Sequence, residues 1–309
     1  LRIPQEEGLY AIVRPGPYIC SEFEFGGLPS WLLKYPNMGL RCNDSQYLEK
    51  VKPFYKELFD RIRPHLCTNG GRVIMVQVEN EYGSYGDDKD YLRAVEAIYK
   101  ENDIDCQLFT SDGSEHWMLS GGTLPHMLKV VNFGSHPTEN FDKLKAFGHD
   151  GPLMCGEFWC GWFDHWYEAH HTRTPEDVAA DTRELLEYGA SINYYMLHGG
   201  TNFGFTNGAN YHQGYEPTVT SYDYCAPLSE CGDLTPTFYA VKQVLEEVTG
   251  EKAPEMDVAD LPKAAYGNIT LTQSAALFEN LPQSISCAIP QTMEDLDQDF
   301  GYLVYSTTL

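Results

Sequence analysis

Short apolar runs without alternation recur along the chain at Leu9–Arg14, Val73–Val78, Gln107–Thr110, Val130–Phe133, Leu153–Cys155 and Ile192–Leu197. Runs of this kind predict parallel strands covered on both faces. Helical periodicity lies between them. In Tyr47–Ile62, Val51, Phe54, Tyr55, Leu58, Phe59 and Ile62 return every three or four positions. Tyr91–Tyr99 carries a Leu92, Val95, Ile98 stripe, and Phe238–Val248 a further helix. After Thr174 the signals are complete: a threonine cap, Pro175 in the first turn, acidic Glu176 and Asp177, and Gly189 as a stop. Leu1–Gly8 reads as the end of a helix running into the first strand.

Strands alternating with helices predict a parallel α/β sheet. Two architectures compete. A doubly wound nucleotide fold needs a G-x-G-x-x-G or P-loop after a strand, and none is present. Polar and aromatic residues instead follow nearly every strand: Arg14–Glu24, Glu79–Tyr82, Ser111–Asp112, Gly156–Trp162 and His198–Asn202. Chemistry spread over the carboxyl ends of many strands is TIM-barrel behaviour. Six strands are two short of eight, so the expectation is a (β/α)8 barrel lacking its first two βα units, over residues 1–250. Residues 251–263, acidic with two prolines, read as a linker, and 264–309 as the beginning of a β-rich accessory domain.

Length and charge narrow the function. At 309 residues the chain exceeds the roughly 250 of one barrel. Its net charge of -24 repels phosphate backbones and anionic lipid, so neither nucleic acid nor membrane is an expected partner. No run of 18 apolar residues exists to span a bilayer. Nine cysteines without CxxC spacing indicate neither a disulfide framework nor a zinc site, and favour a reducing, cytoplasmic setting.

Two segments carry candidate chemistry. VENEYG ends the strand at Val78 with Glu79, Asn80 and Glu81, polar groups that are costly at a buried strand end unless used. CGEFWCGWFDHW sets Glu157 among Phe158, Trp159, Trp162 and Trp166. Glycoside hydrolysis needs such a pair: one carboxyl protonates the leaving oxygen, and the other attacks the anomeric carbon. Spacing alone leaves Glu79 and Glu81 as rivals, because residues two apart on a strand share a face. His165, His170 and His171 beside Asp164 read as loop histidines, with no metal expected. The glycines of Gly199–Gly208 lack the P-loop lysine and read as a barrel loop.

Five segments together resemble glycoside hydrolase family 35, the β-galactosidases: RPGPYICSEFEFGGLPSWLL (Arg14–Leu33), QVENEYGSYG (Gln77–Gly86), GEFWCGWFDHW (Gly156–Trp166), HGGTNFGFTNGA (His198–Ala209) and TSYDYCAPLSECGDLT (Thr220–Thr235). The resemblance runs to about Gly267. It implies retaining hydrolysis of terminal β-galactose through a covalent galactosyl intermediate, without cofactor. Glu81 falls on the acid/base and Glu157 on the nucleophile. Asn80 falls on a ligand of the sugar 2-hydroxyl, and Cys20, Ser21, Glu22, Trp162, Tyr195 and Tyr222 on further sugar contacts. The acid should titrate high while the nucleophile stays ionised. Trp159 and Ser21 stand where the family often has Tyr and Ala. The alternative is a non-catalytic galactoside-binding barrel; the intact carboxylate pair favours the enzyme.

Overall fold

A computed structural model describes residues 1–255, 258 and 261–308. Six parallel strands form one sheet in strict sequence order: β1 (Ala11–Val13), β2 (Val73–Gln77), β3 (Gln107–Gly113), β4 (Leu128–Phe133), β5 (Met154–Trp159) and β6 (Ser191–Tyr195). A doubly wound sheet reverses direction at a switch point. This order never reverses, which fits successive right-handed crossovers around one axis. The helices are α1 (Arg2–Glu6), α2 (Ser45–Ile62), α3 (Lys89–Glu101), α4 (His116–Gly122), α5 (Pro137–Ala146), α6 (Pro175–Glu187) and α7 (Pro236–Thr249).

The sheet is rolled. β1 and β5 are four strand steps apart, which in a flat sheet is roughly 19 Å at about 4.8 Å per step. Yet the Arg14 guanidinium, just past β1, bonds directly to Glu157 in β5. Tyr195, at the end of β6, reaches Ser21 after β1 at 3.1 Å. Only a curled arc brings those strand ends together. β1 and β6 do not pair with each other. The loops beyond them meet instead, through a Phe23–Asn207 bridge and a 2.6 Å bond from the Gly208 N–H to the Glu22 carbonyl. A small hairpin, β7 (Ala209–Tyr211) and β8 (Tyr215–Pro217), grows from the same region.

Three of the helices, α2, α3 and α6, start at a side-chain cap. Asp44 accepts the Gln46 and Tyr47 amides at the head of α2, Asp88 those of Asp90 and Tyr91 at α3, and the Thr174 hydroxyl that of Asp177 at α6. The buried face of α2, with Tyr47, Val51, Tyr55, Phe59 and Ile62, packs with Tyr91, Leu92, Val95 and Tyr99 of α3 over the first strands. A second core gathers Val131, Phe141, Leu144, Phe158, Val178 and Leu185 around β4–β6.

Two expectations change. The polar tails of β3 and β5 are strand rather than loop, because a rolled sheet turns them inward. Residues 264–308 form no strand among the described residues; they carry only short 3-10 turns at Leu277–Glu279 and Glu294–Leu296. A strand needs a neighbour for its ladder bonds, and no described segment supplies one there. The linker expected at 251–263 falls partly outside the described residues, as does Leu309.

Candidate active site

The inner ends of the strands make a polar floor. Asn132 in β4 sits beside Glu157 of β5 in the sheet register. The Ser111 hydroxyl of β3 donates to Asn132 Oδ1 at 2.6 Å. That donor fixes the amide, so Nδ2 points the other way and donates to Glu81 Oε1 at 2.9 Å. Gly156 lies where a Cβ would come within 2.6 Å of the Ser111 hydroxyl, so the floor accepts no side chain there.

Glu157 is buried and strongly held. Arg14 donates to one oxygen, and the Trp159 indole N–H donates to the other at 3.0 Å. Arg14 also donates to Gln77 Oε1 and Asn80 Oδ1, both at 2.7 Å. Gln77 adds a second donor to Asn80 Oδ1 at 2.9 Å. Two donors therefore fix the Asn80 amide, leaving its Nδ2 buried without a protein partner. A buried amide N–H left unpaired is costly, and a ligand oxygen would satisfy it.

Glu81 is bound less tightly, and burial pushes its carboxyl up to about 7. The charge of Glu157 adds to the rise, while the Asn132 bond and Arg14 oppose it. Glu79 is spoken for. Arg41 grips it bidentately at 2.9 and 2.8 Å, and the Tyr91 hydroxyl adds a third bond at 3.0 Å. Glu79 and Arg41 are both buried, and Arg41 also donates to the Asn80 carbonyl at 2.7 Å, so the pair braces the loop. The two glutamates part because Glu79 and Glu81 both adopt left-handed backbone, φ 61° and 46°. Strand alternation does not apply to such residues.

On the opposite wall, Cys20, Ser21 and Glu22 are three consecutive left-handed residues, φ 61°, 57° and 46°. Such a run costs roughly 1–2 kcal/mol per residue and persists only where its surroundings enforce it. Those surroundings are a hydroxyl row. Tyr222 donates to Glu22, Tyr222 and Tyr195 meet at 3.1 Å, and Tyr195 donates to Ser21 at 3.1 Å. Burial pushes Glu22 up to about 7, against the Tyr222 bond and with help from the Glu157 charge. Burial also lifts the Cys20 thiol to about 11, assisted by the charges of Glu22 and Glu81. Trp162 is partly exposed, stacked on Phe163 at 4.8 Å and edge-on to Trp159 at 5.5 Å. Gly199 permits the wall's tight fit, since a Cβ there would lie 1.6 Å from the Tyr222 carbonyl oxygen.

All nine residues singled out in the sequence as catalytic or substrate-binding thus lie at or beside one site. Sequence reasoning placed Arg14 and Asp112 at strand ends without giving either a role, and it missed Asn132. Arg14 and Asn132 were visible as polar residues closing apolar runs. Asp112 is fully buried beneath the Glu81 loop, where it accepts the Gly83 amide at 2.8 Å; burial raises it to about 7. His165, His170, His171 and Asp164 gather outside this floor, on the loop after β5.

A rolled parallel sheet that brings two carboxylates from separate strand ends into one polar site is the arrangement of a glycoside hydrolase. A sequence model of the glycosyl hydrolases family 35 matches residues 1–248. A β-galactosidase of Xanthomonas manihotis is 43% identical over 309 residues, covering 98% of this chain and 51% of that protein. The human β-galactosidase is 43% identical over 319 aligned residues, covering all of this chain and 46% of its own length. A mouse β-galactosidase-1-like protein is 41% identical, with 97% and 48% covered. The chain belongs to glycosyl hydrolase family 35. It spans about half the length of the curated relatives it matches.

Proposed function

We propose that the protein is a retaining β-galactosidase that removes terminal non-reducing β-D-galactose from galactosides. The observation that carries this reading is the unequal bonding of two carboxylates at one site. Glu157 receives a guanidinium and an indole N–H, both of which match an ionised nucleophile. Glu81 has one amide donor and a carboxyl raised to about 7, which suits a general acid near neutrality. In the first step a Glu157 oxygen bonds to the anomeric carbon as the glycosidic C–O bond breaks. The Glu81 proton goes to the leaving oxygen. In the second step Glu81 takes a proton from water, whose oxygen attacks the same carbon and releases Glu157. Asn80, with its free Nδ2, serves the 2-hydroxyl. Cys20, Ser21, Glu22, Tyr195 and Tyr222 hold the remaining galactose hydroxyls, and Trp162 packs on the sugar. Residues 1–250 supply the catalytic portion of a (β/α)8 barrel.

The test is hydrolysis of galactosides by the full-length protein. Glu157→Gln abolishes turnover of every galactoside. Glu81→Gln loses roughly 10²–10⁴-fold on substrates with poor leaving groups. It keeps the first step for a nitrophenyl galactoside, and azide restores its second step. Equal loss for all leaving groups without azide rescue would overturn the assignment.

A further inference from the structure

We propose that Asp112, near the end of β3, is a positioning residue for Glu81: it caps the turn that follows Glu81 from across the sheet, and so leaves the Glu81 carboxyl free to face the floor. The inference rests on the reading of Glu81 as the acid. Glu81 is the N-cap of a 3-10 turn, Tyr82–Ser84, with left-handed φ 46° and ψ 40°. The first amides of a helical turn have no partner within it, and the N-cap side chain ordinarily accepts one of them. The Glu81 side chain accepts none. Its carboxylate accepts from Asn132 instead, at 2.9 Å across the floor.

Strand β3 takes over the vacant role. The Glu81 N–H donates to the Ser111 carbonyl oxygen at 3.0 Å. The Gly83 N–H donates to Asp112 Oδ1 at 2.8 Å. Two adjacent residues of one strand therefore hold the turn on either side of Tyr82. This second bond is shut away from water, because Asp112 is 1% exposed and Gly83 is buried. The carboxylate has little room to move. A Cβ on Gly122, at the end of α4, would lie 2.0 Å from it. The turn packs on the same helix: a Cβ on Gly83 would lie 1.8 Å from the Met118 carbonyl oxygen. The Lys89 ammonium in turn donates to the Gly121 and Thr123 carbonyls at 2.6 and 2.8 Å, which fixes the end of α4. The turn that carries Glu81 thus sits in a socket of β3 and α4.

Without Asp112 the Gly83 N–H becomes a buried donor with no acceptor, which is costly. The N-cap carboxylate is placed by its position in the turn to accept it. Turning back to do so takes Glu81 off Asn132 and away from the leaving oxygen, and the new bond stabilises its charged form. Both changes spoil a general acid. Asp112 touches neither substrate nor the reacting atoms; it acts through Glu81.

The test compares two variants of the full-length protein. Asp112→Leu keeps the approximate shape without an acceptor, and Asp112→Asn keeps an amide oxygen that accepts the Gly83 N–H. For each, kcat/KM is measured on a galactoside with a poor leaving group and on a dinitrophenyl galactoside, whose departure needs no proton. General acids contribute roughly 10²–10⁴-fold, so Asp112→Leu is expected to lose at least about tenfold on the first substrate and to stay within about threefold on the second. Asp112→Asn is expected to match the parent on both. The ratio of the two rates cancels any change in the amount of folded enzyme. Equal loss on both substrates, complete loss included, assigns Asp112 a purely structural part and overturns the proposal. So does a parent-like Asp112→Leu, or an Asp112→Asn that behaves as Asp112→Leu does. Glu81→Gln is run alongside. A loss that depends on the leaving group in Glu81→Gln but not in Asp112→Leu refutes the positioning alone; no such dependence in Glu81→Gln overturns the acid assignment and the positioning together.

Discussion

Replacing Asn132 tests how Glu81, the proposed acid, is tuned. Its Nδ2 is the side-chain donor that reaches Glu81, at 2.9 Å in a buried setting. A hydrogen bond to a carboxylate favours the charged form, so removing it must raise the carboxyl further. Such bonds contribute about 1.5–3 kcal/mol. At 1.36 kcal/mol per unit, that is roughly one to two units. Asn132→Leu keeps the approximate shape and removes the donor. The basic limb of kcat/KM against pH, set by loss of the Glu81 proton near about 7, should then move up by roughly one to two units. The assay is a pH series on a galactoside with a poor leaving group, whose rate depends on the acid. Ser111→Ala is the companion variant. Ser111 bonds to Asn132 Oδ1 at 2.6 Å and thereby fixes the amide's direction. Its loss lets the amide turn, and the same limb should move up by a smaller amount. A basic limb that stays in place in Asn132→Leu, or moves down, would refute the tuning of Glu81 by this bond.

Other outcomes follow from the same geometry. Glu22, Glu81 and Asp112 are each raised to about 7 in the folded protein, so the native state holds more protons than the unfolded chain from the ordinary carboxylate range up to 7. Their contribution is present in mild acid and lost as pH rises through 7; a melting temperature that is flat or rising across that window would contradict it. Arg41→Met strands Glu79 in a buried setting and should cost about 3–5 kcal/mol by chemical denaturation, with part recovered in a double variant carrying Glu79→Leu. Gly199→Ala would force a Cβ to 1.6 Å from the Tyr222 carbonyl oxygen and should weaken galactoside affinity or lose folded protein. Gly214→Ala, with nothing within 4 Å, should be silent in the same assays.

The six strands were legible because each is a short apolar run, and their order in the sheet repeats their order in the chain. Their ends were less legible. Ser111 and Asp112 in β3, and Glu157 in β5, read as loop because polar residues commonly end a strand. In a rolled sheet the interior at the carboxyl end is the site itself, so polarity there marks function rather than termination. Helix α5 escaped notice because only Pro137, Phe141 and Leu144 are buried, too few to write a stripe. Helix α4 ends in Gly121 and Gly122, poor helix formers kept by close packing: a Cβ on Gly121 would lie 2.6 Å from the Gly86 carbonyl oxygen, and one on Gly122 2.0 Å from the Asp112 carboxylate.

The choice between Glu79 and Glu81 shows where one-dimensional reasoning stops. Residues two apart share a face only while the backbone is extended. Here both glutamates take left-handed φ, so each side chain's direction is set by a tertiary partner. Glu79 goes to Arg41, which arrives from the chain just before α2, and to Tyr91 on α3. Glu81 goes to Asn132 on β4. All three partners lie twelve or more residues away, and no local pattern announces the pairing. The outcome nevertheless has a simple physical logic. A carboxylate whose oxygens are engaged by a guanidinium and a phenol is held as a structural anchor and is not free to reach a substrate. A buried carboxylate with one amide donor and a negative neighbour keeps its proton near neutrality. Sequence supplied both candidates, and the resemblance chose between them. The positions of Arg41 and Asn132 supply the physical reason for that choice.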